Sequence, residues 1–543
     1  MLKNILFLSA VISCSALSAM ANESNSIGAI STGHPLATQA GLKVLKQGGN
    51  AFDAAVAVSA TLNVVEPAMS GLGGYGTTLI YDAKRKKVYY LNSSGKFPIK
   101  TNPDLMRPPT KDYLQNLVGP KSISTPGNLN AWKVMHDKYG TLPWAGLFDD
   151  ATYYAEKGFA VSPFIAKVIA AYFDGFSDYS KSFYGKDGRP LKEGEILIQK
   201  DLAKTYRLIA EHGVDPFYRG DIAVMIDKQM KAIGSFLSID DLRMDVAQWW
   251  DPISIHYKGY DVYTMGTPGN GFVALFTLGV MGEFPLHKLI HNSALYLHTL
   301  AEVLKASSKV RLTTPGTVDE RSIIVNHLLS PQHFAAVAHS IPMEKASNFD
   351  MDGEKEGNNT THFVIIDKWG NIVSSTQTLG NGFGSKVMIE GTGIWMNNSI
   401  TFSPDALPGK YKLSSNSPII IMRHGQPWAA LGTPGGHTIP QNTAQIMINL
   451  IDFNMNMQAA IDSPKLAFFE EDKVICTESD IPASTVSSLK KMGHMIGNEH
   501  IVQYLGANGL IGNAMGIKIL RDGQAISYDV GIDKRRDGWA TYD

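Results

Sequence analysis

Cysteine is nearly absent: the 543 residues contain only Cys14 and Cys476. Removal of a leader over residues 1–21 would leave one, so neither a disulfide framework nor a cysteine metal cluster can brace the chain from within. An excess of one charge is missing too. Lys and Arg number 49 against 50 Asp and Glu, a formal net charge of -1, and no long run of like charge occurs. This excludes the electrostatic footprint of a nucleic-acid or anionic-membrane binder and favours a small, neutral or polar ligand. The GxSxG elbow, the HExxH helix and the P-loop spacing are all missing, which removes support for serine-hydrolase, zinc-protease and kinase chemistry. His34, His362 and His437 lie at no metal-ligand spacing, so neither a metal nor a cofactor is expected. What is present is 44% hydrophobic residues, enough for a sizeable core.

Lys3, the apolar run over 5–12 and Ala19-Met20-Ala21 before Asn22 follow the order of a secretory signal, so residues 1–21 are read as a leader. The run is too short to span a bilayer. The expected location is periplasmic or secreted. Val11-Ile12-Ser13-Cys14 also fits a lipoprotein signal, in which Cys14 would carry the lipid anchor.

Apolar spacing predicts a helix over 37–46, and Asn50 caps a second over 51–65 whose Ala and Val residues lie nearly all round, as in a helix buried between layers. Ser70-Gly71-Leu72-Gly73-Gly74-Tyr75-Gly76 has the spacing of a dinucleotide-binding turn, but a helix precedes it and a strand follows, the reverse of what that fingerprint needs. Strands over 77–81 and 88–91 form a hairpin. Residues 127–345 read mainly as helices, with candidates at 129–139, 144–157, 163–173, 202–212 and 222–233, interrupted by strands at 253–256 and 260–263. The polar stretch 350–359 is expected to be an exposed loop.

Beyond it the residues from Thr361 to Ile366, the turn Asp367-Lys368-Trp369-Gly370-Asn371, and 372–379 read as a hairpin. A five-residue connection places Thr360 opposite Thr378 on the same face. A threonine between a loop and a strand can attack the preceding carbonyl, here that of Asn359, shift the acyl group from nitrogen to oxygen, and leave an ester for water to cut. The product is an N-terminal threonine whose α-amine, with a pKa of about 8, can serve as general base for its own hydroxyl. Thr378 is expected to donate a hydrogen bond to the Thr360 oxygen. Thr-Thr at a strand start is also plain β-propensity.

In order along the chain come Gly48-Gly49-Asn50-Ala51, Glu66-Pro67, Asn359-Thr360-Thr361-His362-Phe363, Thr376-Gln377-Thr378-Leu379, Gly391-Thr392-Gly393-Ile394, Asn397-Asn398, Leu413-Ser414-Ser415-Asn416-Ser417-Pro418 and Thr433-Pro434-Gly435-Gly436. In these runs and their order the chain resembles the gamma-glutamyltransferase family. The resemblance implies an α+β fold, the four-layer αββα sandwich of the N-terminal nucleophile hydrolases. It also implies a large subunit over 22–359 and a small subunit over 360–543, intertwined after self-cleavage. Thr360 matches the nucleophile, Thr378 its support, Gly435 and Gly436 the oxyanion-hole amides, and Ser414 and Ser415 the serines that hold the substrate α-carboxylate.

Where the pattern departs, recognition groups change. The family's carboxylate-binding arginine falls at Ser94, and Lys96 nearby offers only a point charge. No acid follows Asn397-Asn398, where Ser399 stands, and the asparagine two residues beyond Thr378 is Gly380 with Asn381 beside it. Losing both charge pairs weakens glutamyl recognition by several kcal/mol, on the order of magnitude that buried polar pairs command. The stretch 403–412 is short for a lid, which suggests an open cleft. The expected substrate is a small amide or peptide: gamma-glutamyl by family, with a non-amino-acid acyl group or a silent binding protein as alternatives.

Overall fold

A computed structural model describes residues 26–244, 247–267, 269–315, 318–353, 359–402, 407–411, 414–497, 513–523 and 525–543. Residues 1–21, read above as a leader, and Cys14 within them lie outside these. The strands of the two large sheets are, in chain order, β1 (Gly28–Thr32), β2 (Tyr75–Asp82), β3 (Lys87–Ser93), β4 (Gln248–Trp250), β5 (Ile253–Tyr257), β6 (Tyr260–Thr264), β7 (Asn359–Asp367), β8 (Ile372–Gly380), β9 (Ile419–Arg423), β10 (Gln426–Gly432), β11 (Met515–Asp522), β12 (Ala525–Ile532) and β13 (Trp539–Tyr542). Among the described residues a seven-stranded sheet runs β13-β1-β7-β8-β2-β3-β4 and a six-stranded sheet runs β12-β11-β10-β9-β6-β5. Both sheets combine strands from before and after position 360.

Side-chain alternation along β7 and β8 separates the layers. Phe363, Ile365 and Val373 pack outward on α1 (Pro35–Lys46) and α2 (Ala51–Val65). Val364, Ile366 and Ile372 face inward and meet Ile420, Met422, Ala430 and Ile517 of the second sheet. That sheet's other face packs on α3 (Phe272–Gly282), α4 (Ala294–Thr313) and α5 (Thr438–Ile451). Three cores between four layers make the αββα sandwich that the resemblance implied.

Every residue of α2 is buried, and its start is fixed by Asn50, whose side chain accepts from Phe52 N and Asp53 N while Asp53 accepts from Asn50 N. The start is tied to the central hairpin by Asp367. Its Oδ2 accepts from Ala51 N at 2.9 Å and Asn371 Nδ2 at 2.8 Å, and its Oδ1 from Trp369 N and Asn371 N. Gly71 to Gly76 feed β2, where a Cβ at Gly74 would stand 2.4 Å from the Thr378 carbonyl oxygen. The glycine-rich run is therefore a close backbone approach.

Two expectations need correction. Residues 144–157 are a 3-10 turn, Trp144–Phe148, followed by a helix, Asp149–Lys157. The longest helix, the 20-residue α4, was not foreseen, because His298, Glu302, Lys305, Ser307 and Ser308 are buried along it and blur the apolar stripe; α3 escaped because it is apolar all round.

Asp367→Ala strands four donors in the interior and is expected to cost on the order of 3 kcal/mol; the urea midpoint of unfolding measures it, with Asp367→Asn intermediate.

Candidate active site

The β7–β8 register pairs Ile366 with Ile372 and Thr360 with Thr378, as the five-residue turn required, and an irregularity falls between Asn359 and Thr360. Both threonines project into the space between the sheets and are only 3% exposed, so their hydroxyls meet away from bulk water. Thr360 Oγ1 donates to Thr378 Oγ1 at 3.1 Å, and Thr378 Oγ1 donates to the Asn359 carbonyl at 2.5 Å while accepting from Gly380 N at 2.8 Å. This reverses the expected direction. A carbonyl only accepts, so in the uncut chain the single hydrogen of Thr378 is committed to Asn359 and Thr360 must donate. The same contact polarises the Asn359 carbonyl.

The chain approaching this point is held in place. His298 Nε2 donates to Pro342 O at 2.7 Å, Lys305 Nζ to Ser347 O at 2.7 Å, and Phe349 packs edge-on against Phe468. Asp350 and Asp352 are exposed, as expected of a loop, whereas Met351 and Gly353 are half-buried; 354–358 lie outside the described residues. Asn359 belongs to the strand, and its Nδ2 donates to Tyr172 OH at 3.3 Å.

The second sheet brings its hairpin end to the same edge. Ser374 Oγ donates to Leu431 O at 3.4 Å, and a Cβ at Gly432 would sit 2.3 Å from the His362 ring. The chain then continues through Thr433 and Pro434 to Gly435 (φ 138°) and Gly436 (φ 61°), conformations that favour glycine. Thr433 Oγ1 donates to Pro434 O and accepts from Asn442 Nδ2 and Asn513 N, and Thr438 Oγ1 donates to Gly435 O at 2.7 Å. Among the described residues neither glycine N–H has an acceptor. Two amide donors at the N-terminal end of α5 are what a developing oxyanion needs.

The predicted recognition residues share this edge through register. Ser93 pairs with Gly76, which pairs with Gln377 next to Thr378, and Ile419, which follows the Ser414 to Pro418 loop, pairs with Leu431. Individually they differ from expectation. Ser94 is 1% exposed and donates to Asn92 Oδ1 at 2.5 Å, so its hydroxyl is spent internally. Asn381 is tied through its backbone N–H to Asn398 Oδ1 at 2.8 Å. Ser399 is fully buried, and among the described residues its Oγ has no hydrogen-bond partner. Ser414 and Ser415 are buried and braced by Asn270, whose N–H donates to Ser414 O at 2.7 Å and whose Nδ2 donates to Ser415 Oγ at 3.5 Å. The described part of the supposed open stretch is docked: Phe97 N donates to Lys410 O, and Lys96 sits over the Tyr411 ring.

Sequence reasoning missed Asn270, Tyr172 and a buried acid. Glu66 Oε2 accepts from Thr361 Oγ1 at 2.7 Å, and burial pushes its pKa up to about 7 against the pull of Thr361 and Arg536. His362 contacts Thr376 Oγ1 at 2.8 Å, and burial holds it down at about 3.

A four-layer αββα sandwich with a buried threonine at the head of a central strand is the architecture of the N-terminal nucleophile class of hydrolases and acyltransferases. Within that class the chain belongs to the gamma-glutamyltranspeptidase family, whose sequence pattern matches residues 37–542. It is 31% identical over 506 residues to a glutathione hydrolase proenzyme of Bacillus subtilis (87% of this chain, 86% of that one). It is 32% identical over 496 residues to an acylase proenzyme of Pseudomonas sp. (87% and 88%). The crystal structure of cephalosporin acylase from Bacillus halodurans superposes with a TM-score of 0.83 at 29% identity, covering 98% of this chain and 99% of that one.

His362 is neutral when folded and titrates near 6.5 when unfolded, so the stability it contributes is full above about 6.5 and is lost as pH falls toward 3. His34 and His494, each held at about 4 by burial, act in the same direction; Glu66 acts oppositely, losing stability as pH rises from 4.5 toward 7. The urea midpoint is therefore expected to fall less between pH 7 and 4 in His362→Gln than in the parent.

Proposed function

We propose that the protein is a self-processing amidohydrolase, with acyl transfer to an amine as a minor route, in which Thr360 first cuts the Asn359–Thr360 bond and then carries the acyl group of each substrate. The observation that supports this is the hydrogen-bond chain from Thr360 through Thr378 to the Asn359 carbonyl. As Thr360 Oγ attacks, the carbonyl oxygen gains charge and the Thr378 contact strengthens, which is transition-state stabilisation in place before reaction. The proton on Thr360 Oγ is relayed by Thr378 to the peptide nitrogen, which departs as the new α-amine, and water then hydrolyses the ester left between Asn359 and Thr360 Oγ.

Loss of the Asn359 carbonyl releases the Thr378 hydrogen, which can then turn to the Thr360 oxygen, the direction read from the sequence. In turnover the α-amine takes the hydroxyl proton, and the amides of Gly435 and Gly436 receive the oxyanion. Two subunits from one precursor, 22–359 and 360–543, would stay associated, and the leader-like order of residues 1–21 supports a periplasmic or secreted location.

The family default for the acyl group is gamma-glutamyl, as in glutathione. A second reading, a glutaryl-type acyl group without the amino substituent, is favoured by the internal bond of Ser94 and by Ser399 standing where an acid would be needed to bind an ammonium.

Thr360→Ala is expected to run as a single full-length band on denaturing gels and to turn over no amide, whereas the parent gives two bands. Thr378→Val is expected to slow self-cleavage by about 10²- to 10³-fold, the usual cost of one oxyanion donor. A silent binding protein predicts one band for the parent too. Clear preference of the processed protein for gamma-glutamyl over glutaryl anilide would rule out the second reading.

A further inference from the structure

We propose that Glu66 is a positioning residue for the nucleophile: acting through Thr361, it holds the head of β7 in place once the chain has been cut before Thr360, a role that rests on the self-cleavage proposed above. It works from the far side of the sheet and touches neither reacting hydroxyl.

The need for such a residue is set by the way the first sheet ends. β1 pairs with β7 from Gly28 opposite Asp367 to Thr32 opposite Phe363 and stops there, whereas β8 pairs with β7 as far as Thr360 and Asn359. Thr360, Thr361 and His362 therefore have a ladder partner on the β8 side alone. In the uncut chain this overhang is also held by the peptide before Thr360 and by the Thr378 bond to the Asn359 carbonyl. Scission would remove both. A chain end tied along one edge frays, and a nucleophile displaced by about 1 Å loses on the order of 10²-fold in rate.

A side chain stands where β1 is missing. Glu66, the C-cap residue of α2, is 1% exposed, and its Oε2 accepts from Thr361 Oγ1 at 2.7 Å. β1 leaves the space for this bond at Gly33, where a Cβ would stand 2.6 Å from Glu66 Oε2 and 2.9 Å from Thr361 Oγ1. Burial disfavours the ionised carboxyl and Arg536, 8% exposed, favours it. A hydroxyl held by a carboxylate is held more firmly than by a neutral acceptor.

The partner strand is gripped from the same segment. Gln377, opposite Thr361, donates from Nε2 to Ser59 Oγ of α2 at 2.8 Å, and Leu379 N donates to Met69 O at 3.1 Å. Met69 N in turn donates to Glu66 O at 2.9 Å. α2 and the residues just past its cap thus fix the strands on both sides of Thr378 and one residue beyond Thr360, with the two hydroxyls 3.1 Å apart. Of these ties, the one from Glu66 is the only side-chain bond to the residue that follows the nucleophile among the described residues.

The test compares turnover with self-cleavage in the full chain. For the parent, Glu66→Leu, Glu66→Gln, Thr361→Val and Thr361→Ser, the appearance of two bands is timed, kcat and KM are measured on whichever anilide the parent turns over faster, and the urea midpoint is recorded. Glu66→Leu and Thr361→Val are expected to mature into two bands and yet to lose about tenfold or more in kcat with little change in KM, and the double variant to lose no more than either alone. Glu66→Gln and Thr361→Ser, which keep an acceptor and a donor, are expected to recover most of that loss. The proposal is overturned if Glu66→Leu and Thr361→Val turn over at the parent rate, if the loss falls in KM, or if self-cleavage slows by the same factor as turnover, the mark of general damage to the fold. Should the Glu66 variants fail to fold, Thr361→Val against Thr361→Ser decides alone. A parent that stays a single band refutes the self-processing reading and this role with it, whereas a parent that matures while the variants match its kcat refutes this role alone.

Discussion

One cross-strand pair governs the rest of the molecule: Thr360 opposite Thr378, with the hydrogen of Thr378 given to the carbonyl just upstream. A slip of one residue would send both hydroxyls to the helix-facing side of the sheet, where Thr361 and Gln377 now bond to Glu66 and Ser59. The register is held from the far end of the hairpin, where Asp367 gathers the turn amides and the first amide of α2. Chemistry at one end of the strands is therefore set by a carboxylate at the other, through rigid pleated backbone.

The buried setting of the pair explains why so much around it is polar and yet ordered. His362, Ser374 and Thr376 line the inter-sheet face beside the threonine pair, each bonded to a neighbour, and the inner core turns aliphatic only from Val364 onward. A polar mouth and an apolar body let one sandwich hold both a bonded chain of hydroxyls and a stable interior.

Much of this was legible in the residues. The hairpin followed from a run of β-branched residues on each side of Asp367-Lys368-Trp369-Gly370-Asn371, and the buried α2 from its Ala and Val content with the Asn50 cap. The layer count was not, and came from family resemblance, since periodicity describes elements and says nothing of how sheets stack. Donor direction at Thr378 was hidden because it depends on a third partner, the Asn359 carbonyl. Asn270 was invisible for a simpler reason: it reaches Ser415 across 145 residues of chain, and no local pattern records such a contact. The short stretch before Ser414 read as an opening, whereas Lys410 and Tyr411 are laid along Lys96 and Phe97.

The strand order has a last consequence. In the first sheet, β7 and β8 lie between β1 on one side and β2 on the other, so a cut before Thr360 frees a chain end without freeing a layer. Each fragment would be missing the middle or the flanks of its own sheet, and neither holds a complete hydrophobic interior. Scission there would act as a one-way ratchet: the pieces would remain mutually templated, and separating them would require melting both.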